Sequence, residues 1–173
     1  SRKQRLKERQ RGQGMTQKYK LTTETKDFAG LTLYRIQALK DFGIIRKGEL
    51  GGWIEKESNL SQDGNAWVSG DAWVSGNARV YGDARVYGNA WVYGDAWVYG
   101  DAWVYGDAWV YGDARVDGNA GVYGDAGVYG EVKLNSTLCS RFNFEFDWQV
   151  ELWQKLESDF EKALKKKGKE AKE

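Results

Sequence analysis

The sequence predicts an all-β fold, a single-stranded parallel β-helix of triangular section, and three observations carry that expectation. From Gly64 to Asn135 the chain runs as twelve uninterrupted six-residue units of the form Gly-Asp/Asn-Ala-Trp/Arg-Val-Tyr. Within each unit two small apolar residues stand two apart, as at Ala66/Val68, Ala72/Val74 and Ala126/Val128, closing on Val132/Leu134. Residues two apart in extended backbone share a face, so these pairs point inward, while the residue between them and the tyrosine point out. The composition is that of a repeat: 22 glycines, nine tryptophans beside ten tyrosines, and neither proline nor histidine.

Three short strands and three corners close one coil of 18 residues, so the twelve units make about four coils. At ~4.8 Å per coil the rod is about 20 Å long before its caps. The Gly-Asp/Asn pair supplies each bend, because both residue types tolerate the backbone angles of a corner. With only two small apolar residues per unit facing inward, each coil depends on its neighbours, and both ends must be covered.

The flanking segments read as those covers. Residues 1–16 form a basic arm, disordered or helical; its first 14 residues hold six Lys/Arg against one acid. Residues 17–63 read as an N-terminal β cap. Its strand-like runs Tyr19–Thr23 and Leu31–Leu39 are joined by a turn over Asp27–Gly30, and glycines 43, 48, 51 and 52 mark further turns. Residues 64–135 are the solenoid, and residues 136–173 are a C-terminal capping strand and amphipathic helix with a lysine-rich tail. In that strand Phe142, Phe144, Phe146 and Trp148 alternate with Asn143, Glu145 and Asp147. Asp147 is placed to cap a helix whose apolar stripe is Leu152, Trp153, Leu156, Phe160, Ala163 and Leu164.

A formal net charge of +1 gives no global pull toward nucleic acid or membrane. Cys139 is the one cysteine, which excludes an intramolecular disulfide framework and suits a reducing compartment. No apolar run approaches the ~20 residues of a membrane span, and no hydrophobic signal region follows the basic start. The expectation is a cytoplasmic protein.

Three stretches, KYKL, then LYRIQALKDF, then GGWIEKESNLSQDGNAWV, resemble the entry region of the YdcK-like β-solenoid family of bacteria and their phages, and the resemblance extends over roughly residues 17–135. It implies a left-handed winding with a small N-terminal β cap; the Ala-x-Val unit by itself can be wound either way. Members carry acetyltransferase labels by analogy of fold, and fold alone does not license an activity. Acyltransferases of similar fold use a histidine as general base, and carbonic anhydrases of similar fold hold zinc on histidines; this chain has no histidine. The expectation is therefore a protein that is not an enzyme and carries no cofactor.

Stacking every third unit sorts the outward residues onto three faces. The first carries Trp67, Arg85, Trp103 and Gly121; the second Trp73, Trp91, Trp109 and Gly127; the third Arg79, Trp97, Arg115 and Lys133. Columns such as Tyr93, Tyr111 and Tyr129 flank them. Such ladders stabilise the coil through ring and cation–π contacts, and an extended aromatic strip is also a candidate ligand or partner surface. The repeat holds nine acids against four bases, a net of −5, which argues against nucleic acid. The corner pairs Asp83/Asp101, Asp107/Asp125 and Asp95/Asp113 read as backbone-satisfying corner residues in preference to a calcium site, since asparagine replaces aspartate freely there. Cys139 reads as a packing residue, because no histidine is present to activate it. Gly121 and Gly127 clear bulk from the last full coil, which makes room for the Phe-rich strand, the helix or a partner subunit's equivalent.

The function this predicts is a non-enzymatic solenoid scaffold or binding protein that presents Trp/Tyr/Arg ladders and self-associates as a homo-oligomer through its terminal elements, with Phe142, Phe144, Phe146, Trp148, Leu152, Trp153, Leu156 and Phe160 as assembly residues. The alternative is a phage-type accessory protein binding a host macromolecule, protein or nucleic acid.

Overall fold

The N-terminal segment forms a long antiparallel hairpin of β1 (Tyr19–Phe28) and β2 (Leu31–Ala38). The computed structural model describes residues 17–135, 138–139, 143–144 and 147–170. The basic arm and the expected assembly residues Phe142 and Phe146 lie outside the described residues. β1 runs further than the expected Tyr19–Thr23, because the pairing resumes at Thr25 after an irregularity and carries on to Phe28. The two-residue turn holds Ala29 at φ 50° and Gly30 at φ 81°. Positive φ at both positions matches the right-handed twist of the flanking strands, and it places a Cβ-bearing residue in left-handed backbone.

β2 pairs antiparallel with β3 (Leu50–Ile54), and β3 then pairs in parallel with the first strand of its face in the repeat, β5 (Trp73–Val74). Parallel pairing therefore begins upstream of the first six-residue unit. Leu60 makes a further parallel bridge to Val80. The sequence from Leu50 thus adds a coil ahead of the four that the twelve units supply, and the rod comprises about five.

The units fold as expected, one short strand each at six-residue spacing, two residues long except for one of three. One face stacks β4 (Trp67–Val68), β7 (Arg85–Val86), β10 (Trp103–Val104), β13 (Gly121–Tyr123) and β16 (Leu138–Cys139). A second continues the hairpin and β3 through β5, β8 (Trp91–Val92), β11 (Trp109–Val110), β14 (Gly127–Val128) and β17 (Asn143–Phe144). The third stacks β6 (Arg79–Val80), β9 (Trp97–Val98), β12 (Arg115–Val116) and β15 (Lys133–Leu134). Tryptophan, arginine and glycine register across the coils as the three-face reading requires.

The inward pair of every unit, alanine and valine in eleven and Val132 with Leu134 in the last, is buried in one continuous core that runs the length of the rod. Full burial of a valine side chain is worth roughly 1.5–3 kcal/mol, so a thin lumen gains its stability by repetition. The corners are held by glycine in left-handed backbone. At Gly100 φ is 67°, and a Cβ there would lie 2.9 Å from the Gly118 nitrogen one coil on. Only a residue without Cβ meets both conditions.

Coil-to-coil hydrogen bonds follow a parallel ladder that uses both directions: the outward residue of each strand donates its N–H to the following coil, as in Trp67 N to Ala84 O at 3.0 Å, while the valine after it faces the preceding coil. The N-terminal edge of the first repeat coil includes a row of carbonyls, and the cap supplies donors to them. Trp53 N, Glu55 N and Ser61 N donate to Ala72, Val74 and Val80. The Asn59 side-chain amide donates to Gly76 O at 3.1 Å and Ala78 O at 2.9 Å. Lys18 Nζ donates to Ala66 O at 2.9 Å and, at longer range, to Gly64 and Asp63 carbonyls.

At the other end α1 (Asp147–Glu170) packs against β15 and β17. Val150 is buried in the core and Trp153 packs against it. No helix among the described residues is long and apolar enough to cross a membrane.

Candidate functional site

The three outward faces differ in what the caps leave open. Trp67 is buried, with the Tyr19 ring centroid 6.3 Å away and that of Phe42 at 5.3 Å. Trp73 is buried under Phe28, whose ring meets it edge-on at 4.5 Å. These two candidate binding residues are packing residues of the N-terminal cap, a correction that follows from the hairpin's reach across the second face. Trp53 extends that face by one rung, flanked by the Arg35 guanidinium at 5.5 Å and Lys26 Nζ at 5.9 Å. Trp53 is a ladder residue outside the twelve units, and its signal lies in the sequence: Trp53-Ile54 repeats the outward-inward spacing of every Trp-Val pair that follows.

Beyond the cap the rings open to solvent. Trp91 is half-buried, stacked on Trp109 at 4.9 Å and 11°. Trp109 is 43% exposed and Trp103 47%. On the third face Arg79 and Arg115 are exposed around a half-buried Trp97, and the Arg115 guanidinium lies 5.0 Å from that ring. Arg85 lies 5.9 Å from the Trp103 ring on the first face.

The flanking tyrosines stack face to face along the rod. Tyr87–Tyr105, Tyr93–Tyr111 and Tyr111–Tyr129 lie 4.8–4.9 Å apart with planes within 8°. Each internal ring thus spends both faces on its neighbours and turns its edge outward, so the columns are not flat platforms; a ring keeps a free face only where its column ends. Burial pushes the phenols of Tyr81, Tyr87, Tyr93 and Tyr99 above their ordinary range. For Tyr99 the hydrogen bond its hydroxyl donates to Asp117 at 2.9 Å adds to that shift.

The corner residues hold one another across coils. Asn65, Asn77 and Asn89 each donate a side-chain N–H to the aspartate one coil on, Asp83, Asp95 and Asp107, at 2.7–3.0 Å. Among the described residues no group of three or more Cys, Asp or Glu is placed to hold a metal ion.

Residues 72–88, 78–94 and 84–100 each match the YdcK β-solenoid repeat. The three stretches overlap, each offset by one six-residue unit, and together span residues 72–100. That part of the rod carries YdcK-type β-solenoid repeats. The chain is also 36% identical over 59 residues to a protein of Escherichia coli (strain K12) named "Uncharacterized acetyltransferase YdcK". That stretch covers 30% of the chain and 18% of the relative's length.

The C-terminal candidates divide by helix face. Val150 and Trp153 turn toward the solenoid, whereas Trp148, Leu152 and Leu156 are exposed at 61%, 51% and 56%. The expected single stripe is therefore split, and its Leu152–Leu156 part does not cover the rod. Phe144 lies in β17 at the register position of Val128. The side chains of Phe144, Phe160 and Leu164 fall outside what the structure describes.

Proposed function

We propose that the protein is a non-catalytic β-solenoid scaffold that associates with copies of itself through α1. The observation that carries this reading is the exposed row Trp148, Leu152 and Leu156, spaced by four residues on a helix whose Val150 and Trp153 are already docked on the rod. Residues four apart share a helix face, and large apolar side chains in a row are the usual seam of a helix pair. A second copy supplies the same row, and a two-fold pairing satisfies both at once.

The relative's acetyltransferase name bears on the reading. What the two chains share is a stretch amounting to 18% of the relative, and solenoid coils of this kind supply architecture, with chemistry added by particular side chains. With no histidine in the sequence, the usual base of solenoid acyl transfer is absent. The lone cysteine supports placing the protein in the cytoplasm.

Light scattering on the full chain tests the proposal. The wild type should be a defined oligomer, and Leu152→Asp combined with Leu156→Asp should give a monomer with the melting temperature of the rod preserved. A wild-type monomer at all concentrations, or an oligomer indifferent to both substitutions, overturns it. Binding of acetyl-CoA by calorimetry would revive the enzymatic alternative.

A further inference from the structure

Trp103 ends its column. Its paired residue on the N-terminal side is Arg85, whose guanidinium lies 5.9 Å from the ring, and on the C-terminal side it is Gly121. The third face shows what a completed arrangement is like. There Trp97 is paired with Arg79 before it and Arg115 after it, the latter guanidinium at 5.0 Å from the ring. Trp97, which Tyr81 also meets edge-on at 6.2 Å, is half-buried, while Trp103 is 47% exposed. The N-terminal cap repeats the pairing with Arg35 over Trp53. A guanidinium against an indole is thus a contact this molecule uses on three tryptophans, and the first face stops one cation short.

The space beyond Trp103 is an open cleft of about 470 Å³. Gly121 forms its floor, the stacked pair Tyr105 and Tyr123 line it, and Asp101 and Asn119 stand at the corner. We propose that this cleft receives an arginine side chain from a partner polypeptide, the guanidinium stacking on the open face of Trp103 and its N–H groups bonding to Asp101 and Asn119. The planar, weakly hydrated guanidinium suits an aromatic face flanked by a carboxylate in a way that the compact lysine ammonium does not. Nucleobases would bring phosphates to a repeat region of net charge −5, which repels them. The site lies on the repeat and is independent of self-association through α1.

The test uses the full chain and follows tryptophan indole N–H signals by NMR. The probe is a blocked Gly-Arg-Gly tripeptide, compared with versions carrying lysine, citrulline or tryptophan at the centre. The arginine peptide should shift one indole saturably, the signal lost in Trp103→Phe, with the other three peptides at least about tenfold weaker. Gly121 is a buried residue of extended β13, so Gly121→Arg fills the cleft from within and should abolish peptide binding. Asp101→Asn, on an exposed corner, should weaken the arginine peptide several-fold with melting unchanged. No indole shift, an equal response to citrulline or tryptophan, or an Asp101→Asn variant that binds as wild type overturns the proposal.

Discussion

Lys18 Nζ donates a hydrogen bond of 2.9 Å to the carbonyl oxygen of Ala66, 48 residues along the chain. The side chain is buried, and its ammonium also lies 5.1 Å from the Phe42 ring centroid. It does at one corner of the first repeat coil what Asn59 does at another, supplying N–H groups that a preceding coil would otherwise provide. Lys18→Met leaves those carbonyls facing an apolar side chain and should cost about 2–3 kcal/mol in urea denaturation. An unaffected stability would mean that water serves the same carbonyls.

Alkaline pH separates Lys18 from the tyrosine columns. Burial, opposed in part by Asp63, lowers the Lys18 pKa from 10.5 to about 8. Between those values the unfolded chain holds the proton and the folded chain does not, so this residue makes stability rise with pH; below about 8 it adds no slope. The phenols of Tyr81, Tyr87, Tyr93 and Tyr99 shift the other way, chiefly through burial. Their contribution is complete below about pH 10 and is lost as the pH climbs through the folded values. Wild type minus Lys18→Met should therefore gain stability from about pH 8 to pH 9.5, before both proteins decline together.

Gly100→Ala should destabilise the rod by about 1–3 kcal/mol, through left-handed backbone and a close approach to Gly118. Gly30→Ala is the matched control: φ is 81° and no atom lies within 4 Å of the added Cβ, so it should cost less. Equal losses would show that the coil-to-coil contact yields freely.

Ala29→Asn should stabilise the hairpin by about 0.5–1 kcal/mol, since asparagine accepts the φ of 50° that alanine adopts under strain. A thermal melt reads it directly, and a lower midpoint would contradict the turn geometry.

Tyr105 stacks on Tyr87 at 4.8 Å and on Tyr123 at 5.0 Å. A double-mutant cycle pairing Tyr105→Ala with Tyr87→Ala should return a coupling of about 0.5–1.5 kcal/mol. Additive losses would reduce the column to a series of independent surface rings.

The rod was legible in the sequence because the spacing of Ala, Val and Gly is a local property repeated without interruption. Registering Trp73 with Trp91 and Trp109 needed only the assumption of three units per coil. The caps were legible as strands and a helix but not in their reach. Nothing in KYKL distinguishes the buried Lys18 from the exposed Lys20 two residues on, because the difference arises from carbonyls that are distant in sequence. Trp67 and Trp91 occupy equivalent positions in their units, and only the placement of Tyr19 and Phe42 buries the first. Leu152 and Trp153 are neighbours in sequence that part company when the helix docks by one face, a choice made by the end of the rod and not by the helix.

The constant parallel register described for the coils makes the molecule a ruler. Each 18-residue turn presents one fixed pattern of N–H and C=O groups to the turn before it and another fixed pattern to the turn after it. A turn added or removed in the middle leaves both ends matched to the same surfaces, so Lys18 and Asn59 still close one end and Val150 the other. Length can therefore change in steps of ~4.8 Å without redesign of either terminus, and the distance between the two ends of the rod is a quantity that selection can set by duplication alone.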